Sequence, residues 1–113
     1  MSNRYYHNPR CSKSRAGLQL LTEAGVTFQI KDYLKEGLTN DEICDLSKKL
    51  SMHPSDFVRK KEAVYNTLGG DDFSIEQWAA IIAKHPVLLE RPVFVCGDKA
   101  VIGRPPEQLV SIL

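Results

Sequence analysis

The sequence predicts a small α/β domain with the element order β-α-β, then several helices, then β-β-α. Three observations predict it: short apolar or alternating strand segments near both ends, two capping boxes in the middle, and a turn between two apolar strands near the end. With 113 residues, the chain is long enough for one domain around one hydrophobic core. No repeat, low-complexity tract or linker divides it, so we expect residues 1–113 to form a single domain.

The first third of the chain predicts the β-α-β part. Residues 4–7 are a candidate strand rich in aromatic side chains, and Asn8-Pro9 ends it with a turn. A helix begins at Ser12, because small and apolar residues then recur at helical spacing, and Gly25 is placed to cap its end. The recurring residues are Gly17, Leu20, Leu21 and Ala24. Residues 26–30 alternate between apolar and polar and predict the second strand.

The middle of the chain is predicted to be helical. Thr39 and Glu42 form one capping box, and Ser74 and Gln77 form another. Each box is followed by apolar residues at helical spacing. These are Ile43, Leu46 and Leu50 after the first, and Ile75, Trp78, Ala79 and Ile82 after the second. Pro54 can begin a short helix between them, and residues 85–86, His-Pro, should end the second helix.

The last third returns to strands. Residues 93–96 form an apolar run, residues 97–99 a turn, and residues 100–102 the returning strand of a hairpin. Pro105 and Pro106 can open a final helix. Its inner side would carry Leu109, Ile112 and Leu113. A β-α-β unit followed by a hairpin and a closing helix is the ground plan of a thioredoxin-like domain, so the middle, about residues 38–85, would be a helical insertion.

Composition excludes several classes of function. The net charge is +1, which gives no sign of nonspecific nucleic-acid binding. No apolar run approaches the roughly 20 residues that span a bilayer, and the polar N-terminus does not resemble a signal peptide, so we expect no membrane partner and a cytoplasmic protein. The three cysteines are widely spaced and form no C-x-x-C pair, which argues against a metal site and a disulfide scaffold.

Cys11 has a setting that favours a reactive thiol. It follows a strand and a turn and directly precedes a predicted helix, whose first N–H groups lack internal partners and carry partial positive charge. A thiolate at such a position is stabilised, and the same N–H groups can hold an oxyanion. Arg10, Lys13 and Arg15 add positive charge nearby, and the hydroxyl of Ser14 is close enough in sequence to face the sulfur.

A structural role for Cys11 remains open on these local features, since a lone cysteine before a helix is more often structural than catalytic. His7 can orient the site or be an ordinary structural histidine. Cys44 lies beside the apolar face of a predicted helix, where burial as a small hydrophobic residue is the better prediction. Cys96 closes an apolar strand, and no neighbour activates it.

Three arginines are candidates for binding an oxyanion: Arg59, Arg91 and Arg104. Guanidinium groups make bidentate bonds to tetrahedral oxyanions through their planar forks. The three are far apart in sequence, and each taken alone is typical of a solvated surface charge. Spacing by itself does not bring them to Cys11.

Four segments together resemble the glutaredoxin-coupled arsenate reductase family. Residues 6–15, Tyr-His-Asn-Pro-Arg-Cys-Ser-Lys-Ser-Arg, are similar to that family's active-site pattern His-Asn-Pro-x-Cys-x-x-Ser-Arg. Residues 58–60 resemble its central Arg-Lys element, residues 85–92 its His-Pro-(apolar)-Arg-Pro element, and residues 103–107 its closing Arg-Pro element. The segments follow the family's order and cover essentially the whole chain.

The resemblance implies a thioredoxin-like fold with a helical insertion and assigns roles to individual residues. Cys11 would be the nucleophile. Three arginines would hold the arsenate oxyanion, namely Arg59, Arg91 and Arg104. Further residues of the anion pocket would be Asn8, Ser14 and Arg15, and supporting residues would be His7 and Pro92. Pro92 would be the cis-proline that faces the cysteine in such folds.

The resemblance also implies a reaction sequence and its partners. The Cys11 thiolate would attack arsenate, glutathione would attack the adduct, and glutaredoxin would complete the reduction to arsenite. No bound cofactor or metal is implied, and glutathione acts as a co-substrate. Two alternatives remain: a noncatalytic regulator of the Spx kind that binds RNA polymerase, and a glutathione-dependent thiol reductase with another substrate. Ser14 stands where the Spx redox switch typically has its second cysteine, which favours an enzyme.

Overall fold

The computed structural model describes residues 3–113, which fall into two compact units. One unit contains residues 3–36 and Arg91–Leu113, and the other is Gly37–Glu90. Residues 1 and 2 lie outside the described residues. They are the first residues of the N-terminal segment that is not expected to be a signal peptide. The second unit includes the segment predicted as a helical insertion. That residues 1–113 form a single domain stays a prediction.

The first unit is built on a mixed four-stranded sheet with the strand order β2-β1-β3-β4. The strands are β1 (Asn3–His7), β2 (Gln29–Asp32), β3 (Val93–Cys96) and β4 (Lys99–Ile102). β1 pairs in parallel with β2 and antiparallel with β3, and β3 pairs antiparallel with β4. The predicted α/β class and the predicted hairpin are confirmed. A one-turn helix, α2 (Tyr33–Glu36), follows β2 and was not predicted.

Helix α1 (Ser12–Glu23) connects β1 to β2 and packs on a C-terminal 3₁₀ helix, Pro106–Ile112. The core between these elements and the sheet consists of side chains with no exposed surface. They are Tyr5, Leu21, Phe94 and Leu109. Burial of each large apolar side chain contributes about 1.5–3 kcal/mol relative to exposure. This core fixes α1 on the sheet, and with it the residues at the start of α1.

Two glycines allow the chain to pack closely at this core. A Cβ atom at Gly17 would lie 2.5 Å from Leu109 Cδ1 and 2.5 Å from the Tyr5 hydroxyl. A Cβ atom at Gly103 would lie 2.8 Å from Leu109 Cγ and 2.8 Å from Pro92 Cγ. Real Cβ atoms do not approach neighbours so closely, so any side chain at these positions forces the packing apart.

Strand β2 begins later than the alternation of residues 26–30 predicted. Helix α1 ends at Glu23, and Gly25 follows its C-cap residue Ala24 with a φ of 75°, which suits glycine. The N–H groups of Gly25 and Val26 bond back to the carbonyls of Thr22 and Leu21, at 3.1 and 3.2 Å. This is the Schellman closure of a helix. Because it uses the Val26 N–H, strand pairing starts only at Gln29.

The C-terminal helix is of the 3₁₀ type, which changes which residues face the core. Leu109 is fully buried and Ile112 packs against the core, as predicted. Leu113 is 57% exposed, so its predicted inner position was wrong. A 3₁₀ helix has three residues per turn, so side chains three apart share one side and the next residue points away.

The second unit is helical and confirms the predictions made from the capping boxes. Helix α3 (Asn40–Leu50) and helix α4 (Ile75–Lys84) both begin at boxes with their two reciprocal hydrogen bonds, and they pack on each other. Trp78 is fully buried, and the ring of Phe73 stands edge-on to it at 5.1 Å. Ile75 is 39% exposed, so the buried face of α4 starts one turn later than predicted. Short 3₁₀ helices cover Pro54–Asp56, Ala63–Thr67 and Pro86–Leu88.

Candidate active site

Cys11 lies at the junction of strand β1 and helix α1. The turn before it is closed by a 3.0 Å hydrogen bond from the Cys11 N–H to the Asn8 carbonyl. The Asn8 side-chain oxygen accepts a second bond, also 3.0 Å, from the N–H of Arg10. Cys11 has extended backbone angles (φ −94°, ψ 122°) and is the N-cap residue of α1. Its side chain therefore stands beside the unpaired N–H groups of the first turn.

The surroundings of Cys11 favour the thiolate. Its side chain is largely buried, which by itself raises the pKa of the thiol. The backbone N–H groups of Ser14 and Lys13, together with the charge and a side-chain hydrogen bond of Arg91, outweigh this burial. They hold the pKa of Cys11 below its ordinary value. The predicted stabilisation by the helix start is thus present, and the chief charged contributor is Arg91 rather than the neighbouring basic residues.

Ser14 is completely buried and links three segments around the cysteine. Its hydroxyl lies 2.7 Å from His7 Nδ1 and accepts a 3.0 Å bond from the Asn8 N–H. Its backbone carbonyl accepts a 2.6 Å bond from the Tyr5 hydroxyl. The serine hydroxyl is therefore directed at His7 and Asn8, whereas the sequence suggested that it faces the sulfur. It is the Ser14 backbone N–H that acts on Cys11. A direct contact of Ser14 with an oxyanion stays a prediction.

His7 is buried at the C-terminal end of β1, beside this network. Burial lowers its pKa, the carboxylate of Asp32 raises it, and Arg15 lowers it, with a net result below the ordinary value. His7 is thus neutral at neutral pH, so its Nδ1 can accept the Ser14 hydroxyl proton. Arg15 is exposed, and its guanidinium donates a 2.8 Å hydrogen bond to the Pro9 carbonyl. This bond stabilises the turn before Cys11.

Arg91 and Arg104 belong to the same unit as Cys11 and flank one backbone contact. The Arg91–Pro92 peptide bond is cis, as the resemblance implied, and the Arg104–Pro105 bond is also cis. The N–H of Gly103 donates a 2.8 Å bond to the Pro92 carbonyl. This bond ties the segment that carries Arg104 to the segment that carries Arg91. Arg91 is half-buried and acts on Cys11, while Arg104 is exposed.

Arg59 lies in the second unit and is placed there by its own neighbours. Its N–H donates a 2.7 Å bond to the Leu88 carbonyl, next to an antiparallel bridge between Val58 and Leu89. Its guanidinium makes a 2.6 Å ion pair with Glu62. The side chain is therefore held by a carboxylate three residues further along the chain, across a turn. Its predicted role toward an oxyanion stays a prediction.

The other two cysteines are partly buried and unpaired. Cys96 packs at the edge of the core of the first unit, and Cys44 lies within α3. Within residues 3–113, no three His, Cys, Asp or Glu side chains are grouped so that they could hold a metal ion. No helix in that part of the chain has the length and apolar character needed to cross a membrane.

Two residues of this site were not identified from the sequence. Tyr5 contributes a buried hydroxyl to the Ser14 carbonyl, and Asp32 contributes a charge beside His7. Asp32 is the register partner of His7 in the parallel pairing of β1 and β2. The parallel register would have been the signal for Asp32. Tyr5 gives no signal, because an aromatic residue in a strand is expected in the core with or without a hydroxyl partner.

Comparison with known proteins agrees with this fold. The sequence profile of the ArsC family matches residues 6–112. An arsenate reductase of Haemophilus influenzae is 40% identical over 116 residues, with both chains covered in full. An uncharacterised protein of Escherichia coli is 44% identical over 111 residues, which cover 96% of this chain and 93% of that one. The structure of an arsenate reductase from Vibrio cholerae has a TM-score of 0.92 at 40% identity and covers 100% of this chain and 98% of its own. The predicted thioredoxin-like α/β fold is confirmed.

Proposed function

The chain belongs to the ArsC family, and we propose that it is an arsenate reductase whose nucleophile is the Cys11 thiolate. The observation that carries the proposal is the setting of Cys11, where two backbone N–H groups and Arg91 together hold the thiol pKa below its ordinary value. Arsenate is a tetrahedral oxyanion, and a thiolate beside N–H donors and a guanidinium is suited both to bind it and to attack it.

The reaction begins with the attack of the Cys11 thiolate on arsenic. A sulfur–arsenic bond forms, and one arsenate oxygen leaves as water after it gains protons. The thiol of glutathione then displaces a second oxygen as water and joins the same arsenic. A glutaredoxin thiolate next attacks the glutathione sulfur and forms a mixed disulfide. The electron pair of the broken sulfur–arsenic bond stays on arsenic, which is thereby reduced from As(V) to As(III). Water finally releases arsenite and returns Cys11 as a thiol.

The residues around Cys11 have separate tasks in this sequence. Arg91 stabilises the thiolate and, once the anion arrives, its guanidinium can bond to an arsenate oxygen. Arg59 and Arg104 are proposed as further donors to the oxyanion. Asn8 and Arg15 shape the turn that carries Cys11, through the contacts of the Asn8 carbonyl and the Arg15 guanidinium. A second catalytic cysteine is not required, because the resolving thiols come from glutathione and glutaredoxin.

A coupled assay tests the proposal. Arsenate, glutathione, glutaredoxin, glutathione reductase and NADPH are mixed with the protein, and NADPH oxidation is followed. We expect turnover that Cys11→Ser abolishes, while Cys44→Ser and Cys96→Ser retain most of it, since neither of these cysteines lies at a helix start. Substantial arsenate reduction by the Cys11→Ser protein would contradict the assignment. If the parent protein shows no turnover and is pulled down with RNA polymerase, the hypothesis of a noncatalytic regulator replaces that of an enzyme.

A further inference from the structure

A groove of about 370 Å³ lies directly beside the turn that leads into Cys11. Its lining residues all belong to the first unit. They are Asn8, Pro9, Arg10, Asp32, Leu34 and Lys35. The groove thus lies at the C-terminal ends of the parallel strands β1 and β2. In open α/β sheets this end is the usual place for ligands, and the volume is within the range of about 300–1,000 Å³ that holds small molecules.

The charged side chains of the groove restrict the kind of ligand that it can bind. It presents two exposed cations, Arg10 and Lys35, and one carboxylate, Asp32. Leu34, which is 42% exposed, and Pro9 supply apolar surface between them. A complementary ligand carries two carboxylates and one ammonium group around a short, weakly polar backbone. Its reactive atom would have to reach Cys11, which directly follows Arg10 in the chain.

We propose that this groove is the glutathione subsite of the enzyme, with the two carboxylates of the tripeptide at Arg10 and Lys35 and its ammonium group at Asp32. The inference rests on the proposed function, because glutathione is the second substrate there. Glutathione carries two carboxylates and one ammonium group at neutral pH, so its charges match those of the groove one for one. Its cysteinyl centre would then lie over Leu34 and Pro9, with the thiol next to the turn that bears Cys11.

A second cavity in the same unit fits this ligand less well. It measures about 580 Å³ and is bordered by His7, Pro9 and one side of α1, including Leu18 and Thr22. Arg15 is its one cation, and the Arg15 guanidinium is already bonded to the Pro9 carbonyl. Glu23 balances that charge, so the cavity offers no net attraction to a ligand with two carboxylates. The charges therefore assign glutathione to the groove beside Arg10.

Binding is tested with S-methylglutathione, which carries the same charges but cannot react. Nitrogen-15 NMR titration of the protein without arsenate should shift the signals of the groove, Arg10 and Lys35 among them. Arg10→Ala and Lys35→Ala should each weaken binding about threefold to fivefold, the effect expected of an exposed ion pair. The double variant should lose about tenfold or more if the two sites act independently. Lys99→Ala, which removes an exposed cation on β4 at the opposite edge of the sheet, should bind as the parent does.

Ligand variants give an independent check on the charges. The dimethyl ester of S-methylglutathione lacks both carboxylates and should bind at least tenfold more weakly, and high salt should weaken the binding of the acid form more than that of the ester. The subsite is wrong if S-methylglutathione does not bind, if it shifts Leu18 and Thr22 instead of the groove, or if Arg10→Ala and Lys35→Ala bind it normally.

The experiments can contradict the glutathione subsite and the arsenate reductase activity independently of each other. Binding that depends on Arg10 and Lys35, in a protein that reduces no arsenate, would keep the subsite and overturn the proposed substrate. Arsenate turnover with a KM for glutathione that neither variant raises would keep the reductase and overturn the subsite. An increase of that KM in both variants, with no increase in Lys99→Ala, is the result that supports both.

Discussion

The hydroxyl of Tyr5 donates a 2.6 Å hydrogen bond to the backbone carbonyl of Ser14, nine residues along the chain. Tyr5 is in the middle of β1 and Ser14 is in the first turn of α1, so this bond joins the central strand to the start of the helix. Both residues are fully buried. The bond is therefore shielded from solvent and ties the start of α1, which carries the N–H groups that lower the pKa of Cys11, to strand β1.

Loss of the Ser14 hydroxyl should destabilise the fold more than loss of an exposed serine hydroxyl. In Ser14→Ala the Asn8 N–H and His7 Nδ1 lose their buried partner, at a cost of about 1–3 kcal/mol in the free energy of unfolding. Urea denaturation measures it. The matched control is Ser111→Ala, because the Ser111 hydroxyl is exposed and bonds only within its own turn, to the Gln108 carbonyl. Equal losses in the two variants would contradict the role assigned to Ser14.

The Cys11 thiol should titrate below its ordinary pKa. The rate of alkylation by iodoacetamide follows the thiolate fraction, so it should rise as the pH passes through this lowered value. A protein with Cys44→Ser and Cys96→Ser leaves Cys11 as the one thiol measured. Arg91→Ala removes a positive charge and a hydrogen bond from the thiolate, so it should move the midpoint to higher pH. A midpoint unmoved by Arg91→Ala would show that Arg91 does not act on the sulfur.

The three arginines should be needed for catalysis. Arg→Ala at 59, 91 or 104 should lower kcat/KM for arsenate about tenfold or more, since one charged hydrogen bond is worth roughly 1.5–3 kcal/mol. Arg→Lys should also reduce it, because lysine keeps the charge but loses the bidentate fork. Lys84→Ala removes an exposed charge at the end of α4 and should leave kcat/KM unchanged. Normal kcat/KM in all three alanine variants would exclude the proposed oxyanion site.

The pKa of His7 should respond in opposite directions to two substitutions. Its midpoint in an NMR titration should lie below 6.5, mainly because the ring is buried. Asp32→Asn removes the charge that raises this pKa, so the midpoint should fall further. Arg15→Ala removes a charge that lowers it, so the midpoint should rise. Shifts of the same sign in both variants would contradict the electrostatic assignment.

Gly17→Ala separates helix propensity from packing. By propensity alone, alanine within a helix should stabilise the protein by about 1 kcal/mol relative to glycine. The added Cβ would lie 2.5 Å from both Leu109 Cδ1 and the Tyr5 hydroxyl, so we expect a net destabilisation of about 1–3 kcal/mol in urea denaturation. Ala16→Gly, at the exposed neighbouring position, gives the pure propensity cost. A Gly17→Ala protein more stable than the parent would show that the neighbouring side chains move aside at no cost in stability.

The elements that could be predicted are those whose signals are local. The boxes at Thr39 and Ser74 place both the donor and the acceptor within four residues, so the starts of α3 and α4 follow from the sequence. The start of β2 could not be predicted in this way. It depends on whether the Val26 N–H closes a helix or joins a sheet, and periodicity does not decide between the two.

The candidate site shows the same division. Cys11 at a helix start could be identified from neighbouring residues alone. The direction of the Ser14 hydroxyl could not, because it depends on where His7 lies across the turn. Neither could the contribution of Arg91, which is 80 positions from Cys11 in the chain, so that only the fold brings it to the sulfur.

Strand β1 has a neighbour on each side, β2 and β3, whereas β2 and β4 are the edges of the sheet. In native-state fluctuations, edges and chain ends exchange their amide hydrogens first, and the middle of a sheet exchanges last. Cys11 therefore follows one of the two strands, β1 and β3, that are paired on both sides. If the β4 edge opens, β1 keeps its pairing with β2 and β3, so Cys11 stays in place at the start of α1 while the edge of the sheet fluctuates.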